Sequence, residues 1–473
     1  MSNFDLVIIG TGSGNTILTH EFADWNVAIV ERGVFGGTCL NVGCIPSKML
    51  VLPADRVAEA AEATELLDVD IEVRGVDWPA LRDRIFGRID SIAEGGRDYR
   101  LGQDHVTVFE GDARFVGDHE LLVTAADGST DTVRSERFVL AAGARPRLPE
   151  IPGLEATPFH TSDTIMRIEK VPEHLIILGG GFIAAEMGHV FASLGCRVSV
   201  VHRGAQMLRH EDAEVSARFT EQFARRVELH TNTTSCGVEY VDGEFRLELV
   251  GSGEGSSSPH DDAHKVLRGD ALLVTTGRDP NGSQLGVEAT GVRLDAAGYV
   301  ITDDTLATGV PGIWALGDIR NPQQLKHLAN GEARVVRHNL LHPDDPISID
   351  QRVVPHAVFS HPQVGSVGLT EADLALEGRP YVVGHCDYAA VAYGWALADT
   401  SGFAKVLIAS DDLQILGGHV IGPQAATIAQ QITQAMTFDI PADRLAREQI
   451  WCHPALPELL ENALLDGLKQ LDR

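Results

Sequence analysis

The stretch GGTCLNVGCIPSKML, residues 36–50, sets Cys39 and Cys44 five positions apart among glycines and ahead of a proline. Two thiols so close could be a structural staple, half of a zinc site or a redox pair. In a regular α-helix, residues five apart rise about 7.5 Å along the axis and lie on different faces. A disulfide needs Cα atoms about 4.4–6.8 Å apart, so a bond between them requires a distorted turn, which Gly36, Gly37 and Gly43 permit. Pro46 suits the first turn of a helix through SKMLVL, with Pro53 expected to interrupt it. Cys44 then lies at a helix N-terminus, where the positive end of the dipole favours thiolate over thiol. Near the other end, WCHPALPELLENAL holds His453 and Glu458 across a segment bent by two prolines. A carboxylate folded onto an imidazole makes a proton-transfer unit for near-neutral pH. By itself such a histidine is more often structural; a reactive cysteine pair in the same chain brings the catalytic reading level with it. Cys39, Cys44, Cys452 and His453 also have the ligand types of a tetrahedral zinc site. Adjacent residues of an extended chain point in opposite directions, however, and Cys452 and His453 could share a metal only through a special turn. The expectation is no metal.

Two glycine turns must position further chemistry. FDLVII, residues 4–9, leads into GTGSGN and, some twenty residues on, NVAIVER: a strand, a turn, a helix and a strand, the opening of a dinucleotide-binding unit. Gly10 and Gly12 sit where the chain turns tightly and a pyrophosphate approaches; the third position of the pattern is Asn15, for which Gly14 could compensate. Glu31, ending the second strand, can accept hydrogen bonds from a ribose with an intact 2′-hydroxyl, which suits FAD or NAD; the alternative is a solvated strand end. Residues 174–203, HLIILGGGFIAAEMGHVFASLGCRVSVVHR, repeat the plan through Gly179, Gly181 and Ala184. Here the second strand ends in VVHR with no acid, and Arg203 and Arg209 could hold a 2′-phosphate bidentately, so NADPH is preferred to NADH. The alternative is two loop arginines in solvent.

Between these units, LPADRVAEAAEATELL and WPALRDRIFGRIDSIAEGG have helical spacing, while VTVFEGDARFV and ELLVTAADGSTDTVRSERFVLAAGARP look like strands of a meander. GSGEGSSSPHDDAHK, residues 251–265, reads as a polar hairpin tip between FRLELV and ALLVTTG. From VVPHAVFSHPQVGSVGLT onward, alternation gives way to the helical patterns TIAQQITQAMTF and PELLENALLDGLKQL, a third, α+β domain. The chain has 473 residues, 44% of them hydrophobic, with 48 glycines, which suits about three globular domains. Its net charge of −29 disfavours nonspecific binding to nucleic acid or anionic lipid. The opening MSNFDLVIIGTG lacks a signal-peptide pattern and no run reaches the ~18 apolar residues of a membrane helix, so a cytoplasmic protein is expected. In a reducing cytosol a close cysteine pair is more often catalytic or metal-binding than a permanent crosslink. Cys196, Cys236 and Cys386 read as small buried residues, and Cys452 has no assigned role. Arginine far outnumbers lysine, which suits a high-GC genome or a salty cytoplasm.

Together GGTCLNVGCIPSK, the two dinucleotide units, GIWALGD and HPALPE resemble the flavoprotein disulfide reductases, over essentially the whole chain. The resemblance implies an α/β fold of two Rossmann-like domains, for FAD and NADPH, plus a C-terminal α+β dimerisation domain. The expected boundaries are 1–155 and 279–345 for the FAD-binding part, 156–278 for NADPH and 346–473 for the interface. It implies FAD held by Gly10, Gly12, Gly14, Glu31, Thr38, Lys48, Gly143 and Asp318. It implies NADPH held by Gly179, Gly181, Phe182, Ala184, Glu186, Arg203, Arg209 and Gly277, with Lys48 paired to Glu186 and Phe182 where the nicotinamide docks. In a homodimer, His453 and Glu458 would then serve the cysteines of the other subunit. Hydride would pass from NADPH to FAD and on to the dithiol, with Cys44 the thiolate facing the flavin and Cys39 the thiol that attacks substrate. Mercuric reductases and large thioredoxin reductases usually carry a further C-terminal cysteine pair, which LLDGLKQLDR lacks; lipoamide dehydrogenase would favour an acid in VVHR. The expected substrate is a small-molecule disulfide, mycothione first, with bis-γ-glutamylcystine or a lipoamide as alternatives. A flavin-binding redox sensor without turnover would not need the His453 and Glu458 arm.

Overall fold

Leu6–Ile9 is an unbroken apolar run buried on both faces, as a strand inside a parallel sheet must be. In the computed structural model, which describes residues 2–251 and 265–471, it is the centre of a five-stranded parallel sheet. The order is Ile313–Ala315, Phe138–Leu140, Leu6–Ile9, Val27–Glu31, Val106–Glu110. Val7 and Ile9 pack on one side with Val30, Phe115, Leu121 and Val133. Leu6 and Ile8 pack on the other with Ile17, Phe22, Leu316 and Val336. This sheet belongs to the first of two compact units, Met1–Ser47, Pro79–Arg147 and Gly277–Asp350. The meander is narrower than the pattern suggested. Only Asp112–Gly117, Glu120–Thr124 and Thr130–Ser135 form it, with Ser2–Phe4 added in parallel at its edge. Val106–Glu110 and Phe138–Leu140 join the parallel sheet instead, and Asp5 divides the FDLVII run between the two sheets.

The helix expected after the first glycine turn is absent. Gly14–Ile17 and His20–Phe22 are short 3₁₀ turns. Glycine, asparagine and threonine are weak helix formers, and the buried Arg100 guanidinium donates to the carbonyls of Asn15 at 2.8 Å and Leu18 at 3.2 Å, and to the Asn15 side chain at 2.8 Å. Those acceptors no longer need helical partners. Pro53 does not interrupt its helix either: Cys44–Leu66 runs through it. A proline inside a helix costs about 3 kcal/mol, and burial of Leu50, Val51, Ala54, Ala58 and Ala60 on the same helix offsets that cost.

The second unit comprises Lys48–Trp78, Leu148–Thr276 and Gln351–Arg473. Its parallel sheet has the order Glu228–His230, Arg197–Val201, His174–Leu178, Ala271–Val274. The helix Phe182–Ser193 follows its glycine turn and buries Ala184, Ala185, Met187, Val190 and Phe191. Thr233–Val241, Glu244–Gly251 and Lys265–Gly269 form an antiparallel sheet. The expected hairpin tip at 252–264 lies outside the described residues. Its flanks differ from expectation, because Lys265–Gly269 pairs with Glu244–Gly251 while Ala271–Val274 crosses into the parallel sheet. Leu267 must pack on Phe245, Leu247 and Leu249, and that takes up the edge. A third, antiparallel sheet has the order His356–Val358, Val364–Gly368, Ile415–Ile421, Phe403–Ala409, Tyr381–Asp387. Ala425–Thr437 and Glu458–Lys469 close it through Ile428, Ile432, Leu459, Leu460 and Leu464.

Candidate active site

The two cysteines lie on different helices. Cys39 is in the one-turn helix Gly37–Asn41, the chain leaves helical geometry at Val42 (φ −144°, ψ 19°), and Cys44 begins the helix Cys44–Leu66. This is a sharper break than a distorted helix start. Glycine makes it feasible: a Cβ on Gly43 would stand 2.8 Å from the Thr38 carbonyl oxygen and 3.3 Å from the Cys39 Cα. The loop also rests on the first glycine turn, since a Cβ on Gly37 would meet the Gly12 Cα at 2.7 Å. Asn41 closes it by donating to the carbonyls of Phe35 at 2.8 Å and Gly37 at 3.0 Å. Both cysteines are thiols, Cys44 exposed and Cys39 half-buried. The hydrogen bond to the Cys44 sulfur, then burial, then charge on Cys44 push the Cys39 thiol up. Cys39 is thus the thiol of the pair that holds its proton more firmly than a free cysteine.

The glycine turn beside it is built for close approach. Gly10 has φ +103° and a Cβ there would meet the Ala141 carbonyl at 2.3 Å; one on Gly14 would meet the Ala141 Cβ at 2.6 Å. Gly14 thus supplies the close packing that the pattern asks of its third glycine, and Asn15 is turned to Arg100. Glu31 accepts from the Thr11 amide at 2.9 Å, the Thr11 hydroxyl at 2.6 Å and the Gly33 amide at 2.8 Å. It ties the turn to the end of its strand and is no mere solvated end. Gly143, at φ +65°, is bonded through its carbonyl to the Asn281 amide at 3.0 Å. Asp318 lies in the 3₁₀ turn Gly317–Ile319, where burial raises its carboxyl, and among the described residues no side chain donates to it. A half-buried carboxylate short of side-chain donors and a glycine turn that admits no Cβ fit a ligand carrying both hydroxyls and phosphates. Lys326, the first residue of the helix Lys326–Leu341, donates to the Ser13 hydroxyl at 2.8 Å. Sequence reasoning missed it. The signal was a cation in a helix first turn, where the dipole disfavours one.

In the second unit, Gly179 (φ +133°) leaves no room for a Cβ, which would meet the Thr275 hydroxyl at 2.4 Å, while Gly181 is open and caps the helix Phe182–Ser193. Ala184 is buried in that helix and Phe182, at its start, is 48% exposed. Past the strand Arg197–Val201, His202 turns inward against Gly180 and donates to the Gln206 carbonyl at 2.9 Å. Arg203 and Arg209 are exposed on the same loop. Gly277 falls in the first unit, where its carbonyl accepts from the Arg147 amide at 2.9 Å. Lys48, one turn along the helix from Cys44, donates to both carboxylate oxygens of Glu186 at 2.7 and 2.8 Å. Glu186 is 4% exposed and also accepts from the Phe359 amide at 3.1 Å. His453 is 70% exposed and donates from Nδ1 to Glu458 Oε1 at 2.8 Å, while Oε2 accepts from the Ala455 amide at 3.1 Å. The His453 bond, helped by Ala455 and opposed by desolvation, holds the Glu458 carboxyl below its ordinary range. A carboxylate can only accept, so Nδ1 carries a proton and Nε2 is the ring nitrogen left to meet a substrate. Among the described residues no three His, Cys, Asp or Glu side chains converge on a metal position.

Two glycine turns on parallel sheets, a dithiol at a helix break and a carboxylate-held imidazole define a dinucleotide-dependent disulfide oxidoreductase. The chain belongs to the pyridine nucleotide-disulphide oxidoreductase family, whose main domain matches residues 4–333 and whose dimerisation domain matches 354–464. It is 44% identical to mycothione reductase of Mycobacterium tuberculosis over 99% of this chain and 100% of that protein. Dihydrolipoyl dehydrogenase of Chlamydia muridarum is 31% identical over 98% and 96% of the two chains, and mercuric reductase of Streptomyces lividans 32% over 96% and 94%. The HOCl-induced flavoprotein disulfide reductase RclA from Escherichia coli superposes with a TM-score of 0.83 at 26% identity, over 98% of this chain and 99% of its own. The protein is therefore an α/β oxidoreductase that reduces disulfides, with the family's cofactors, FAD and NADPH, and a dimerisation domain. Among the described residues no helix is long and apolar enough to cross a membrane.

Proposed function

We propose that the protein is a cytoplasmic NADPH-dependent reductase of mycothione, the disulfide of mycothiol. The observation that carries this reading is the 44% identity to a mycothione reductase across both whole chains, against 31% for a dihydrolipoyl dehydrogenase. The missing acid after Val201 and the exposed Arg203 and Arg209 support NADPH.

FAD would be held by residues 1–155 and 279–345, through Gly10, Gly12, Gly14, Glu31, Thr38, Lys48, Gly143 and Asp318. NADPH would be held by residues 156–278, through Gly179, Gly181, Phe182, Ala184, Glu186, Arg203, Arg209 and Gly277. Residues 346–473 would form the interface, so that His453 and Glu458 of the partner subunit complete each site. When bound, the two cofactors supply the electron pair that opens the Cys39–Cys44 disulfide. Lys48, fixed by both oxygens of Glu186, keeps a positive charge one helical turn from Cys44. Cys39 gives its proton to His453 and attacks one sulfur of the substrate, forming a mixed disulfide while the substrate S–S bond breaks. His453 returns the proton to the departing thiolate, which needs it because exchange depends on the basicity of the leaving group. Cys44 then attacks the Cys39 sulfur as a thiolate, reforming the pair and expelling the second half of the substrate as a thiolate, which takes its proton from solvent. Glu458 holds the imidazole in the tautomer this exchange requires.

One observation favours a second substrate. A net charge of −29 suits a salt-adapted cell, in which bis-γ-glutamylcystine would take mycothione's place. Steady-state NADPH oxidation against mycothione, bis-γ-glutamylcystine, glutathione disulfide and lipoamide tests the reading. Mycothione should exceed the others in kcat/KM by at least about 100-fold, or ~2.7 kcal/mol; a preference for any other disulfide overturns the assignment.

A further inference from the structure

Lys326 sets a cation where the chain already concentrates positive charge. It is the first residue of the helix Lys326–Leu341, where unpaired amide groups and the helix dipole already concentrate positive charge. It is half-buried, and among the described residues no carboxylate lies within ion-pair distance; its hydrogen bond goes to a neutral hydroxyl, Ser13 Oγ at 2.8 Å. Ser13 belongs to the glycine turn on which the cysteine loop rests. Burial lowers Lys326, while Cys39, Cys44 and Asp318 act in the opposite sense, and Lys326 in turn opposes the upward push on Cys39. Among the described residues, Lys326 and Asp318 act on one another, and Arg278 and Glu332 act on that carboxylate.

We propose that Lys326, anchored by Ser13, is a positioning residue whose ammonium holds the negative charge of the reduced Cys39/Cys44 pair. The cation lets the pair keep a thiolate at neutral pH despite the burial that holds the Cys39 proton. Ser13 keeps the long side chain in place, which lowers the entropic cost of that arrangement. The proposal rests on the reading of Cys39 and Cys44 as the reducible pair.

The test is a pH titration of the thiolate-to-flavin charge-transfer absorbance in the two-electron-reduced holoenzyme, for wild type, Lys326→Met and Lys326→Arg. A single opposite charge moves a titration by about one to three pH units. Lys326→Met should raise the midpoint by about one unit or more, and Lys326→Arg should restore it to near the wild-type value. The pH dependence of iodoacetamide alkylation, run on reduced apoprotein of each variant, should shift in the same direction. An unchanged midpoint in Lys326→Met overturns the proposal. So does loss of FAD from Lys326→Met with an unchanged alkylation profile, which would make Lys326 a ligand of the FAD phosphates. A wild-type enzyme with no charge-transfer band would instead refute the dithiol reading, and this proposal with it.

Discussion

Replacing Glu458 by glutamine tests the proton-transfer arm at one atom. The carboxylate accepts two hydrogen bonds, from His453 Nδ1 at 2.8 Å and from the Ala455 amide at 3.1 Å. An amide has one oxygen and one NH₂, and the Ala455 N–H can be served only by the oxygen. In Glu458→Gln the NH₂ would then face Nδ1, so that ring nitrogen must become an acceptor and the imidazole proton moves to Nε2. The outward nitrogen is then a donor and cannot take a proton from a thiol. Losing a positioned general base costs about 10²–10⁴-fold, or ~2.7–5.5 kcal/mol in the barrier of that step. The ring is 70% exposed, so the thermal unfolding midpoint should not move measurably. Rapid-mixing spectroscopy separates the half-reactions: reduction of bound FAD by NADPH should stay at the wild-type rate, while reoxidation by disulfide substrate should fall by the stated factor. Reoxidation within about three-fold of wild type would refute the tautomer argument.

Cys39→Ser should still accept electrons from NADPH into FAD but reduce disulfide at below about 1% of the wild-type rate, because a hydroxyl cannot undergo thiol exchange; normal turnover would remove Cys39 from the attacking role. Arg203→Ala with Arg209→Ala should raise the KM for NADPH by about 10–100-fold, for one or two lost charge-assisted hydrogen bonds, and leave NADH nearly unchanged; equal effects on both would sink the 2′-phosphate assignment. A stability prediction concerns His356, whose Nε2 lies 2.7 Å from Glu211. Burial lowers His356, but the Glu211 bond and charge outweigh it and leave the imidazole raised above 6.5; burial likewise opposes Glu211, which His356 and Ser366 hold below 4.5. The raised imidazole stabilises the fold below its unfolded value and loses that effect as pH rises through its folded value, while the depressed carboxyl loses its effect on acidification. His356→Gln should therefore lower the urea midpoint more at pH 5.5 than at pH 9, and a larger loss at pH 9 would contradict the sign.

The glycine turns, the cysteine loop and the His453 and Glu458 segment are legible because each is a local constraint written in a few adjacent residues. A turn that admits no Cβ shows as glycine, and a bend across two prolines shows as proline. Less is legible where two distant segments compete for one partner. A helix after Gly14 fails to form because Arg100, some eighty residues on, satisfies the carbonyls of Asn15 and Leu18. Pro53 fails to stop its helix because the burial that overrides it comes from other segments. The strand Lys265–Gly269 escapes notice because its five residues sit between a polar stretch and a stronger apolar run.

The class of chemistry is written in short local patterns: which sulfurs, which imidazole, and two dinucleotide turns with different strand ends. Tertiary structure alone decided the electrostatics, because charge interactions depend on distance and burial rather than on position in the chain. It put Lys48 onto Glu186, pushed the Cys39 thiol up through Cys44 and burial, and brought Lys326 from nearly three hundred residues away onto Ser13, in the turn on which the cysteine loop rests.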